Sequence, residues 1–113
     1  MAVSNPTVEI QSRADGFGAI VSGITLAEPL SEQSTQAILR AWSTYGILVF
    51  PDQPLELEDL EAFTLALGDF GHDPFIAPMP GHPNVLELRR EPDEKAGNFG
   101  AGWHSDWSFQ ACP

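Results

Sequence analysis

The sequence predicts a mixed α+β chain, because short strand-like stretches alternate with two amphipathic helices and turn formers are abundant. Ten glycines and ten prolines among 113 residues exceed the usual share and favour a turn-rich, β-containing chain over a helical bundle. A chain of this length makes one small domain with a modest core. No repeat or internal domain boundary interrupts it.

The elements follow in order. Residues 7–11, Thr-Val-Glu-Ile-Gln, alternate as a weak strand, and residues 16–24, bounded by glycines, read as a second. Pro29-Leu30-Ser31 opens a helix, with Ser31 as the expected N-cap and Glu32 complementing the positive end of the helix dipole. Ala37, Ile38, Ala41, Trp42 and Tyr45 recur at helical spacing, and Gly46 stops the helix. Ile47-Leu48-Val49-Phe50 is expected as a strand buried on both faces and ended by Pro51. Glu56, Glu58, Asp59 and Glu61 favour a second helix start, Leu57, Leu60, Phe63 and Leu67 make its apolar stripe, and Gly68 ends it. Its carboxylates read as a solvated face. Residues 71–84 carry four prolines and read as loop. Val85-Leu86-Glu87-Leu88 returns to strand, and residues 89–102, charged and glycine-rich, read as a mobile loop. With the last segment below, about five strands are expected.

Charge narrows the function classes. Five Lys and Arg stand against 16 Asp and Glu, a formal net charge of −11. Phosphate backbones and anionic membrane surfaces repel such a chain, so neither nucleic acid nor membrane is an expected partner. An anionic small molecule stays compatible, because the local field of a pocket can oppose the global one. The single cysteine, Cys112, cannot form an internal disulfide and fits a reducing cytoplasm. Residues 1–13 show no basic start and no apolar run, hence no signal peptide.

The chemistry concentrates in Gly102-Trp103-His104-Ser105-Asp106-Trp107-Ser108-Phe109-Gln110. Read as a strand, its period of two puts His104, Asp106, Ser108 and Gln110 on one face and Trp103, Ser105, Trp107 and Phe109 on the other. The imidazole and carboxylate then stand side by side, within reach of one ion. Both are suitable donors for Fe(II), and with a second histidine they complete a facial triad that leaves open positions for substrates. His-x-Asp alone is a short pattern that more often marks two surface residues. Here the three aromatics sharpen it: their first role is core packing, and an apolar shell also excludes water from a reactive metal.

Several pieces in order resemble the taurine dioxygenase and 2,4-dichlorophenoxyacetate dioxygenase group of Fe(II)- and 2-oxoglutarate-dependent oxygenases. Gly18 to Leu30 is similar to the family's early glycine-rich stretch. Ala41-Trp42 through Tyr45-Gly46-Ile47-Leu48-Val49-Phe50-Pro51-Asp52-Gln53 resembles its helix-to-strand element ending in Asp-Gln. Phe63 with Leu67-Gly68-Asp69-Phe70-Gly71 resembles its second helix, and Trp103-His104-Ser105-Asp106 with Ser108-Phe109 and Pro113 its iron motif.

The resemblance implies the N-terminal part of a double-stranded β-helix, or jelly roll, with two outer helices. Residues 1–113 would be one part of a single dioxygenase domain, cut off after His-x-Asp. It implies Fe(II) bound by His104 and Asp106, and 2-oxoglutarate as co-substrate. A small, anionic organic substrate would be hydroxylated with O2, releasing succinate and CO2. The third iron ligand and the arginine that binds 2-oxoglutarate are expected beyond Pro113, so these 113 residues alone are expected to be inactive. The taurine enzymes place a substrate-binding histidine before a proline in the loop after the second helix. Here Asp73 precedes Pro74 and His72 is offset by one, so His72 and Asp73 are the substrate-binding candidates. The family's Asn four residues before the iron histidine is Gly100 here, and both differences point away from taurine. A homo-oligomer is left open. The rival readings are a non-catalytic jelly-roll binding module with a vestigial metal site, and a zinc domain using His72, His104 and Cys112, whose spacings match no common zinc pattern.

Overall fold

The computed structural model describes residues 7–113; the first six residues of the stretch read for a signal peptide lie outside it. Strand β1 (Glu9–Ser12) turns back into β2 (Ala19–Ser22), helix α1 (Glu32–Tyr45) crosses over to β3 (Leu48–Val49), and α2 (Leu57–Leu67) follows. The sheet runs β1-β2-β3. β1 pairs antiparallel to β2, with Ile10 opposite Val21, and β2 pairs parallel to β3, with Ala19 opposite Leu48. The parallel pair requires a crossover, and α1 supplies it.

Alternation along β2 sets the sheet's two faces. Ala19 and Val21 are buried, whereas Ile20 and Ser22 are exposed. Val21 joins Ile24, Leu26 and Ile38 in the core, with Leu48, Phe50, Phe63 and Leu67 packed against it. Burying a side chain such as Ile38 contributes roughly 1.5–3 kcal/mol. Phe50 and Phe63 meet edge to face at 5.5 Å, which ties α2 to the chain segment leaving β3. Leu60 lies outside this contact and is exposed, so the α2 stripe narrows to Phe63 and Leu67.

Local chemistry places the helix ends where the sequence sets them. Ser31 accepts from the Ser34 N–H at 3.1 Å, and Gly46, at φ +76°, sends its N–H to the Trp42 carbonyl. At α2 the Asp59 carboxylate accepts from the Glu56 N–H at 3.0 Å. Gly23 has no substitute: at φ +81° an added Cβ would stand 2.2 Å from the Thr7 carbonyl oxygen.

Gln53 works like a short piece of strand. Its amide oxygen accepts from the Leu26 N–H at 2.8 Å and its amide nitrogen donates to the Ile24 carbonyl at 3.0 Å. Both backbone groups belong to a segment with no sheet partner, so the side chain satisfies them in place of one.

Four expectations change. The strand at 47–50 shortens to Leu48–Val49, and Ile47 and Val49 are exposed rather than buried. Residues 85–88 form no strand: Val85 exchanges hydrogen bonds with Met79 and His82 in a tight loop instead. Among the described residues there are three strands in one sheet, not five. These strands with their two helices make a mixed α/β unit. The acidic side of α2 is more than a solvated face, since Glu61 meets the His82 ring at 3.3 Å and so pins the 79–85 loop to the helix.

Candidate metal centre

Beyond α2 the chain is carried to the His-x-Asp motif by turns. The 89–102 segment folds on itself, with Arg90 contacting the Asn98 side chain and the Glu94 carbonyl. His104 and Asp106 follow, both exposed.

The segment is not a strand. Residues 106–109 form a turn, and Trp107 takes φ +47°, a left-handed conformation that costs a non-glycine residue roughly 1–2 kcal/mol. The strand expectation fails because extended backbone needs a neighbour to receive its hydrogen bonds. The aromatic side is not a core either: Trp103 is fully exposed and Phe109 is 63% exposed.

The two candidate ligands nevertheless converge. His104 Nε2 lies 3.0 Å from Asp106 Oδ1, and His104 Nδ1 lies 2.6 Å from the Gly102 carbonyl oxygen. A carbonyl can only accept, so Nδ1 carries a proton and Nε2 is the nitrogen left to face Asp106. The Gly102 hydrogen bond, and after it the charge of Asp106, raise the His104 pKa above the ordinary imidazole value.

This pair suits a metal ion. Bonds of about 2.1 Å at right angles place two donors about 3.0 Å apart, the edge of an octahedron. Fixing the remote imidazole nitrogen on a carbonyl is the usual way a protein orients a metal-binding histidine. Among the described residues no group of three or more His, Cys, Asp or Glu converges to hold an ion, so His72, His104 and Cys112 form no zinc cluster.

His72 and Asp73 line an open hollow of about 670 Å³ whose wall also includes Asp69, Trp107 and Gln110. Asp73 has a structural task there: its Oδ1 accepts from the N–H groups of Phe75 (2.7 Å) and Ile76 (3.0 Å). The His72 carbonyl accepts from the Gln110 side chain at 2.8 Å. The loop that holds both substrate-site candidates is therefore joined to the His-x-Asp turn. The sequence reading put Gln110 on the motif's polar face but had no signal for its partner 38 residues away. The polar alternation of 104–110 was the only trace.

The family model described as taurine catabolism dioxygenase TauD, TfdA family matches residues 9–113. The chain belongs to this family. Among TauD/TfdA relatives, an (S)-phenoxypropionate/alpha-ketoglutarate-dioxygenase of Sphingobium herbicidovorans is 33% identical over 93% of this chain and 37% of its own length. A taurine dioxygenase from Burkholderia xenovorans superposes with a TM-score of 0.64 at 26% identity, over 75% of this chain and 32% of that one. AAD-2, solved in complex with Mn(II) and N-oxalylglycine, gives a TM-score of 0.54 at 33% identity over 57% of this chain and 25% of its own. The chain thus spans between a quarter and a little over a third of the length of these TauD/TfdA relatives. No helix among the described residues is long and apolar enough to cross a membrane.

Proposed function

We propose that this chain supplies the His104–Asp106 limb of a facial Fe(II) site in a 2-oxoglutarate-dependent dioxygenase. That enzyme hydroxylates a small, anionic organic substrate and releases succinate and CO2. The observation that carries the reading is the 3.0 Å separation of Nε2 and Oδ1 on a histidine whose other nitrogen is already held by Gly102. Iron bound here supplies O2 activation coupled to decarboxylation of 2-oxoglutarate.

The chain's residues do the rest of the work assigned to it. His104 presents a neutral nitrogen lone pair once Nε2 gives up its proton, and Asp106 adds one negative charge. Together they would hold the ion from one side. The third ligand and the arginine for the distal carboxylate of 2-oxoglutarate come from outside these residues. The Mn(II) and N-oxalylglycine bound by AAD-2 support this assignment, because the oxalyl end of that molecule offers the same pair of chelating oxygens as a 2-oxo acid. The phenoxypropionate relative, with Asp73 and Gly100 at the diverging positions, favours an aryloxy or aliphatic acid over taurine. His72 and Asp73, on the hollow beside Trp107, are the assigned substrate contacts. The exposed, unpaired Cys112 supports a cytoplasmic setting.

The test is paramagnetic. Mn(II) added to the 113-residue chain should broaden NMR signals first at His104 and Asp106, and His104→Ala should remove that selectivity. Uniform broadening along the acidic surface would overturn the assignment.

A further inference from the structure

Three aromatic rings and one amide join the motif turn to the 72–76 loop. Phe75 and Trp107 lie nearly parallel, 7° apart with centroids at 6.1 Å. Phe109 meets Phe75 edge-on at 5.7 Å and Trp107 at 5.5 Å. Gln110 donates to the His72 carbonyl at 2.8 Å, while its own N–H returns to the Trp107 carbonyl at 2.8 Å. The Asp73 carboxylate caps the loop and presents Phe75.

Trp107 is the residue after Asp106, and its φ of +47° turns the chain back so that Gln110 reaches His72. A left-handed tryptophan persists only when its surroundings over-determine it. Here they do so from both sides, through ring contacts on its side chain and the Gln110 contact on its backbone. Without them the chain that follows Asp106 is no longer anchored to the 72–76 loop. Asp106 is exposed and pairs with His104, and the turn that follows it ties it to the 72–76 loop.

We infer that Phe75 and Gln110, on either side of the His-x-Asp turn, are positioning residues that hold Asp106 beside His104 by locking Trp107 in its left-handed conformation. The inference rests on the metal-pair reading for its functional meaning, and it joins the substrate-side loop to the metal-side turn as one unit. Movement of the 72–76 loop then reaches the metal through Trp107.

The 113-residue chain tests it with Mn(II) alone as the probe. Phe75→Ala and Gln110→Ala should each weaken the Mn(II) site about tenfold, the scale of a lost outer partner of a metal ligand. Phe75→Tyr, which keeps the ring, should stay within about twofold of the parent. Amide spectra of residues 8–67 must stay native in every variant, which separates positioning from unfolding. Parent-like Mn(II) binding in both alanine variants, with binding lost in His104→Ala, overturns the latch and leaves the metal pair standing. Parent-like binding in His104→Ala overturns the metal pair. The ion-free ring ¹⁵N shifts of His104 then decide the latch by themselves: displaced in Phe75→Ala they support it, unchanged they overturn it.

Discussion

Residues 7–67 and residues 68–113 are held by different forces. Every buried side chain among the described residues lies at or before Ala41, and α2 seals that core with Phe63 and Leu67. After Gly68 no described residue is buried, and large aromatics stand open, Phe75 at 75% and Phe99 at 74% exposure. The first region is a small hydrophobic core with its layers in place. The second is a series of turns joined by polar contacts such as His82 to Glu61, Arg90 to Asn98 and Gln110 to His72, and by the Phe75, Trp107 and Phe109 rings. The proposed metal pair, His104 and Asp106, sits in the second region. Its geometry therefore depends on a few polar and aromatic contacts that can change without disturbing the core.

The largest effect should fall on function and leave the core untouched. In a family-length polypeptide that includes these residues, His104→Ala or Asp106→Ala should cut Fe(II)-dependent succinate release by more than the roughly 10–100-fold typical of an outer-shell substitution. The unfolding midpoint should barely move. A large drop in that midpoint would break the comparison, because it would show the motif turn to be part of the stabilising core. The 113-residue chain itself should release no succinate; turnover by it would show that no ligand from elsewhere is required.

The next effect runs the other way. Ile38→Ala removes a side chain that is 1% exposed and should destabilise by about 2–5 kcal/mol, whereas Trp103→Ala should stay within about 0.5 kcal/mol. Urea unfolding followed by far-UV circular dichroism compares them directly. Equal losses would mean that Trp103 is covered in solution, for instance by self-association through its exposed neighbours.

Gln53→Ala is smaller and sharper. It leaves the Leu26 N–H and Ile24 carbonyl without their partner, which should cost about 1–3 kcal/mol. Faster exchange of the Leu26 amide, with the Ile20 amide unaffected, would localise the effect to this contact.

The smallest effect is the pH response of His104. Its pKa is raised first by the Gly102 hydrogen bond and then by Asp106. A group whose folded pKa lies above its unfolded value adds stability below the unfolded pKa and loses it as pH rises through the folded one. The ion-free chain should therefore lose a small contribution as pH rises through the raised His104 pKa. Histidine NMR titration should show Asp106→Asn lowering the His104 pKa only part way, since the Gly102 contact remains. A full return to the ordinary value would make the carboxylate the main cause.

Both helices were legible because their evidence is local. Ser31, Gly46 and the stripe in α1 act within one turn of their own backbone, and helical hydrogen bonds close inside the segment. The first two strands were legible for a similar reason, since a short glycine-containing turn brings β1 onto β2. The same alternation misled at 103–110 and the same apolar run at 85–88, because a strand is a statement about two segments and neither finds a partner among the described residues.

The sequence alone determined the helices, their caps, the acidic balance and the identity of the two candidate ligands, since each depends on residues near one another in the chain. Only the tertiary structure decided that Nε2 and Oδ1 converge just ahead of a left-handed turn rather than along a strand. It also decided that Gln53 pairs with residues 24–26, that Glu61 holds His82, and that Gln110 and Phe75 bind the motif to the 72–76 loop. Those contacts join residues 21 to 38 positions apart. No local pattern encodes them, because a polar side chain finds its partner only after the core has brought the two segments together.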